Sequence, residues 1–215
     1  MEGAGSTIVY MEEEDKDVQE TKRLVEEKGG KLGLIWADLR SAERCKSVVE
    51  EAAKGMGGVD ILVLNDGYQM MKETIGELSE EQWVKTFDTN IHPFFYLSKY
   101  ALSHMSPGST IITCASVNPY IGRPDLLDDT STQRRHRSLH PRSLQPAALQ
   151  RHPRQQCMSR PDLDTPLIPA TMNEKAQKEF TSPVGRPGQP SEVAKCFVFL
   201  ASADSRFYEW AELES

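Results

Sequence analysis

Val59-Asp-Ile-Leu-Val-Leu-Asn-Asp-Gly67 decides the fold. Its apolar residues run without alternation and stop at Asn65-Asp-Gly67, the pattern of a short strand buried on both faces. Such strands belong to parallel sheets with helices on each side. In open α/β sheets ligands gather at the carboxyl ends of the strands, where Asn65 and Gly67 fall. Gly67 lets bare backbone approach a ligand, and Asn65 offers both a donor and an acceptor. The same residues also read, with no ligand, as a buried strand followed by an Asn-Gly turn.

Upstream, Ser6-Thr-Ile-Val-Tyr10 reads as a strand and is followed by Glu12, Glu13 and Glu14. These acids either meet ribose hydroxyls or simply favour the positive end of the next helix. Asp15 or Asp17 is the expected cap of that helix, with Val18, Leu24 and Val25 inward and Gly29-Gly30 ending it. Lys31-Leu-Gly-Leu-Ile-Trp36 reads as the next strand. Ser41 then caps a helix whose Cys45, Val48, Val49, Ala52 and Met56 keep helical spacing. The order from Ser6 to Gly67 is thus β-α-β-α-β, the grammar of a doubly wound α/β fold.

Downstream, Ser79 and Gln82 form a capping box, with Leu78 and Trp83 as its hydrophobic staple. The helix carries Phe87, Asn90, Phe94 and Leu97 toward Met105, and Pro93 should kink it near Asn90. Ser106-Pro-Gly-Ser109 makes a turn. Thr110-Ile-Ile-Thr-Cys-Ala-Ser116 reads as a second buried strand, with Ser116 as a candidate donor to a substrate oxygen at its carboxyl end.

The balance of 25 basic against 32 acidic residues, net −7, argues against a chain-wide nucleic-acid role. Cys45, Cys114, Cys157 and Cys196 are scattered and suggest neither a zinc site nor a disulfide framework. A reducing, cytoplasmic setting is the expectation. No apolar run approaches the roughly 20 residues of a membrane span, and neither a signal peptide nor a peroxisomal address is expected.

Five elements occur in order: Asp38-Leu39, Asn65-Asp-Gly67, Thr89-Asn90, Thr113-Cys-Ala-Ser116, and Pro183-Val-Gly-Arg-Pro-Gly-Gln-Pro-Ser-Glu-Val-Ala194. Together they resemble the short-chain dehydrogenase/reductase family, most closely its glucose/ribitol dehydrogenase-like branch. The segment Thr165-Pro-Leu-Ile-Pro169 adds to the likeness. The resemblance implies a Rossmann sheet that binds NAD or NADP and transfers a hydride between the nicotinamide and a small alcohol or carbonyl substrate. It implies that Asp38 and Leu39 face the adenine and that Asn65, Gly67 and Lys99 lie along the cofactor ribose. Asn90 belongs to the proton relay, Ser116 polarises the carbonyl, and Thr165 touches the carboxamide or phosphates.

Three departures accompany the resemblance. The family opens with a strand, a glycine-rich turn and a helix that seat the pyrophosphate, whereas this sequence begins at the family's second strand. The expected fold is therefore an incomplete Rossmann-type doubly wound parallel sheet lacking the first strand and its Gly-rich turn. The family's Tyr-x-x-x-Lys pair is also replaced, with Asp129 at the tyrosine position and Gln133 at the lysine position. Finally, residues 133–161 hold seven Arg and three His with no Lys, Asp or Glu, unlike the rest of the chain. Read one nucleotide out of phase, Gln156-Cys-Met-Ser-Arg160 gives Asn-Val-Cys-Pro-Gly, the family's motif at this place. Tyr208-Glu-Trp-Ala-Glu212 similarly gives the family's closing segment.

These readings divide the chain into a partial dinucleotide-binding region (1–128), a foreign basic segment (129–163) and a remnant of the C-terminal region (164–215). The foreign segment is expected to be coil, with at most a helical turn near Ala147, and the sheet is expected to lack the family's sixth and seventh strands. A well-packed strand or a long buried helix there would contradict both the coil and the out-of-phase reading. The family's dimer helix falls in this segment, so the usual homo-oligomer is expected to be compromised. The implied activity is NAD(P)-dependent oxidoreduction, impaired in this chain. The rival readings are a non-catalytic remnant of the family and a basic-arm binding module, the latter separable by salt-dependent nucleic-acid binding.

Overall fold

The computed structural model describes residues 3–116, 122–136, 154–159, 170–172, 188–205 and 212–214. In chain order these form β1 (Ser6–Tyr10), α1 (Asp15–Glu27), β2 (Leu32–Trp36), α2 (Ala42–Met56), β3 (Ile61–Leu64), α3 (Glu80–Asn90) and α4 (His92–Ala101). There follow β4 (Thr110–Ser116), α5 (Leu127–His136), β5 (Arg154–Ser159), α6 (Pro190–Ala201) and β6 (Glu212–Glu214). The pairings among these strands are parallel and fall into two sheets, one of order β1-β2 and one of order β3-β4-β5-β6.

Helix α2 joins the two sheets because its apolar residues point two ways. Val48 packs with Val9 and Ile35 of the first sheet and with Ala37 just after β2. Cys45, Val49 and Ala53 pack with Leu64, Ile111 and, from α4, Phe94, Leu97 and Ala101. Each fully buried apolar side chain of this kind stabilises by about 1.5–3 kcal/mol. The helix ends are set by local chemistry. Ser41 Oγ accepts from the Arg44 amide at the start of α2, and Gly57 closes it at φ 83°, a left-handed conformation that costs glycine least. On the opposite face of the second sheet, Ile112 of β4 packs against Val193 and Leu200 of α6.

Several expectations are corrected. The cap of α1 is neither Asp15 nor Asp17. A 3-10 turn at Glu12–Glu14 precedes the helix, and the Glu14 carboxylate accepts from the Met11 amide. Leu24 and Met56 are exposed rather than inward. β3 is buried on one face only: Leu64 is covered, while Ile61 and Val63 are exposed because no described element lies over them. β1 and β3 each keep one strand edge unpaired among the described residues.

The largest correction concerns the basic segment. β5 pairs in parallel with β4 from Ile111↔Arg154 to Ser116↔Ser159, and β6 pairs with β5. The sheet therefore has strands where the sixth and seventh were expected to be missing. β5 is a strand where coil was expected. Ladder bonds are made by main-chain groups, so a paired neighbour such as β4 can template a polar strand that shows no apolar periodicity. Ala147 and Thr165 lie outside the described residues.

Candidate functional site

The site lies at the carboxyl end of β4. Pro93 sets its first wall. The helix expected to kink there is broken at Ile91 (φ −116°, ψ −52°) into α3 and α4, so that Asn90 ends α3 fully buried. Asn90 Oδ1 accepts from the Tyr68 amide at 2.7 Å, and Nδ2 donates to the Tyr68 carbonyl at 2.9 Å. The loop leaving β3 is thereby held against α3. Asn90 Nδ2 also reaches Thr132 Oγ1 (3.1 Å) and Asp129 Oδ1 (3.4 Å) on α5.

From Asp129 the chain of bonds continues to the sheet. Gln133 Nε2 donates to Asp129 Oδ1 at 3.1 Å, and Gln133 Oε1 accepts from the Ser116 amide at 3.2 Å. Asn90, Ser116, Asp129 and Gln133, far apart in sequence, are therefore joined. Their chemistry differs from a tyrosine–lysine pair. An ionised carboxylate accepts but cannot donate, and the Gln133 amide brings no positive charge. Asp129 is 3 % exposed and its described partners here are neutral amides.

Sequence reasoning missed a second buried acid. Asp128, 1 % exposed, accepts from Thr86 Oγ1 (2.7 Å), Gln82 Nε2 (3.1 Å) and the Asp129 amide (2.9 Å). Gln82 was expected to complete a capping box. Ser79 does cap α3 by accepting from the Gln82 amide at 3.1 Å, but the Gln82 side chain turns inward to Asp128 and to the Met70 carbonyl. The available signal was the polar row Gln82, Thr86, Asn90 at four-residue spacing, which lies on one face of α3 and meets Asp128, Asp129 and Thr132 of α5.

The cofactor-assigned residues stand apart from this network. Asp38 is clasped by Arg40 (Nε to Oδ1, 2.9 Å), whose hydrogen bonds hold the carboxyl below the usual range. Leu39 packs against α2 and its carbonyl accepts from Cys45 Sγ. Asn65 and Gly67 are exposed after β3, and a side chain at Gly67 would meet nothing within 4 Å. Lys99 is exposed on α4 over the Phe95 and Tyr100 rings. No group of carboxylates, histidines and cysteines among the described residues could hold a metal.

Asp66, between Asn65 and Gly67, has its carboxyl pushed up to about 6, chiefly by loss of hydration and further by Glu14 and Asp38. The residue is exposed, like Asn65 and Gly67 beside it, so solvent screens these effects strongly. A folded pKa above the ordinary 3.8 means stability contributed at low pH is lost as pH rises through about 6. Asp66→Asn is therefore expected to raise the unfolding midpoint at pH 7, by on the order of 1 kcal/mol after screening. The gain should vanish below pH 4, and thermal melts across pH measure it.

A protein-family profile described as Enoyl-(Acyl carrier protein) reductase matches residues 1–132. General stress protein 39 of Bacillus subtilis is 42 % identical over 208 residues, covering 96 % of this chain and 72 % of that protein. Glucose and ribitol dehydrogenase of Daucus carota is 36 % identical over 215 residues, covering 97 % of this chain and 74 % of that protein. Among solved structures, the short-chain dehydrogenase/reductase described as a glucose/ribitol dehydrogenase from Brucella melitensis superposes with TM-score 0.79 at 24 % identity, over 98 % of this chain and 84 % of the other.

Proposed function

The chain belongs to the short-chain dehydrogenase/reductase family, and from that premise we propose that it carries the family's oxidoreductase site in a form impaired for hydride transfer. The reaction class is NAD(P)-dependent interconversion of an alcohol and a carbonyl, and the 36 % identical carrot relative makes a sugar or polyol the substrate class to test first. The observation that carries the impairment is the bonded row Ser116–Gln133–Asp129–Asn90. In this reading Ser116 meets the substrate oxygen, Asp129 stands where the family's proton donor would be, and Gln133 stands where the family has its lysine.

The described residues do not fit the pyrophosphate of a dinucleotide. No glycine-rich turn opens a helix among them. The helix after β1 opens on Glu12, Glu13, Glu14, Asp15 and Asp17, which occupy its positive end with carboxylates. Glu14, Asp38 and Asp66 add negative charge at the carboxyl ends of the strands. The second reading, a family scaffold without catalysis, is favoured by the same facts. Titrating nicotinamide cofactor against tryptophan fluorescence separates the two, since an impaired enzyme still binds cofactor and a bare scaffold does not.

The acidic opening of α1 also bears on cofactor choice. The 2′-phosphate of NADP needs a cation, and this segment offers only Lys16 among its acids before Lys22. Where binding is measurable, NAD is expected to bind more tightly than NADP. Tighter NADP binding in paired fluorescence titrations would refute this.

A further inference from the structure

Of the chain's 14 glycines only Gly67 follows an aspartate, and none follows an asparagine. Asp66 and Gly67 are both exposed and lie past Leu64, the last residue of β3 paired in its ladder. A Cβ at Gly67 would meet nothing within 4 Å, so no packing holds the chain at that point. We propose that Asp66 isomerises to isoaspartate through a succinimide formed with the Gly67 amide, a spontaneous modification that loosens the loop after β3 from α3.

The reacting groups are already together. The Gly67 amide acts on the Asp66 carboxyl as a hydrogen-bond donor, which puts the attacking nitrogen beside the carbon it must reach. Glycine has no Cβ to shield that nitrogen or to restrict the backbone turn that closes the ring. Loss of hydration holds the carboxyl's pKa up, and Glu14 before α1 and Asp38 after β2 add to it. Arg40 clasps Asp38, and Cys45 of α2 is the other titratable group that feels the Asp66 charge. The neutral acid, the form that sheds water, therefore survives closer to neutral pH than in a free aspartate.

The steps balance without an oxidant or a cofactor. The Gly67 nitrogen attacks Asp66 Cγ, a C–N bond forms and the carboxyl C–O bond breaks. The hydroxyl leaves with the amide hydrogen as water. A second water then opens the succinimide. Attack at Cγ returns aspartate, whereas attack at the main-chain carbonyl leaves the nitrogen on Cγ and frees an α-carboxylate, which is isoaspartate. The main chain is now longer by one methylene just before Gly67 and Tyr68. The Tyr68 amide and carbonyl are the groups that Asn90 binds, at 2.7 and 2.9 Å. The added length displaces them, so Asn90 loses two of its partners and the wall of the candidate site loosens.

The experiment incubates the full folded chain in neutral buffer and samples it over weeks. Each sample is digested, and the peptide holding Asp66 is sequenced by electron-transfer fragmentation. Isoaspartate is counted by methyl transfer from S-adenosylmethionine with a protein-isoaspartate methyltransferase. The expected result is time-dependent isoaspartate at Asp66, with a minor species one water lighter and a lower unfolding midpoint for the converted protein. Gly67→Ala restricts the attacking backbone and should slow conversion at least about tenfold. That variant should fold, since the added Cβ meets nothing. Asp66→Glu keeps the charge but must close a larger ring, and should abolish the signal. A synthetic peptide of residues 61–71 gives the rate of the unconstrained dipeptide. Conversion of the peptide without conversion of the folded chain would overturn the proposal, as would isoaspartate mainly at another residue or a rate untouched by Gly67→Ala. An unchanged midpoint after conversion would overturn the link to Asn90.

Discussion

Asp129→Tyr together with Gln133→Lys is expected to leave turnover undetectable in this chain, even though the pair restores the family's acid/base chemistry. The tyrosine would stand beside Ser116 and the lysine beside the tyrosine, where an ammonium can draw a phenol toward neutral titration. Proton transfer of this kind contributes roughly 10²–10⁴-fold, but only to a substrate held against a bound cofactor. Here the helix after β1 opens on Glu12, Glu13, Glu14, Asp15 and Asp17, and Asp66 lies at the end of β3. Groups that act as a unit do not fail additively, so repairing one part recovers little. Fusing a strand–glycine-rich turn–helix unit ahead of the double variant should raise turnover by several orders of magnitude over either change alone. The sheet has places for such a unit: β1 and β3 each have an unpaired edge among the described residues, and Ile61 and Val63 beside it are uncovered. Nicotinamide absorbance in the four combinations of repair and fusion measures the effect. Full rescue by the double variant alone would show that the acids do not obstruct the cofactor.

Asp128→Ala should destabilise the protein by about 2–4 kcal/mol, because several buried donors lose their acceptor at once. Thr86 Oγ1 and Gln82 Nε2 both donate to Asp128 Oδ2, and the Asp129 amide donates to Oδ1. Thr86 keeps the Gln82 carbonyl and Gln82 keeps the Met70 carbonyl, which holds the loss below that of three wholly orphaned groups. Asp128→Asn retains an acceptor for the threonine and should cost about 1 kcal/mol less. Thr86→Val removes one donor and leaves the carboxylate with the others, at about 1–2 kcal/mol. Urea denaturation of the three variants reads these values directly. A neutral Asp128→Ala would mean that α3 and α5 are held by something other than this acid.

What the sequence made legible were features fixed within one turn or one strand. Ser41 and Ser79 cap their helices, and β4 occupies Thr110–Ser116 as read. Pro93 broke the long helix where its missing amide and ring demanded. The joining of Asn90, Ser116, Asp129 and Gln133 was legible only through the family likeness, since no local pattern connects α3, β4 and α5. Features that depend on distant partners were misread. Gln82 had a satisfactory local role in a capping box, and only the arrival of Asp128 explains why its side chain goes inward. Val63 has the composition of a buried residue, but burial is decided by what lies over it. β5 was hidden because Arg154-Gln-Gln-Cys-Met-Ser159 carries no alternation; its pairing is supplied by β4 and β6.

The most direct test is turnover by the unaltered chain, followed as nicotinamide absorbance with NAD and NADP against a panel of sugars, polyols and simple ketones. No enzyme-proportional change is expected with either cofactor. Robust turnover that scales with protein concentration would contradict the reading, and would mean that Ser116 and Asn90 work with a proton donor other than the residues at positions 129 and 133.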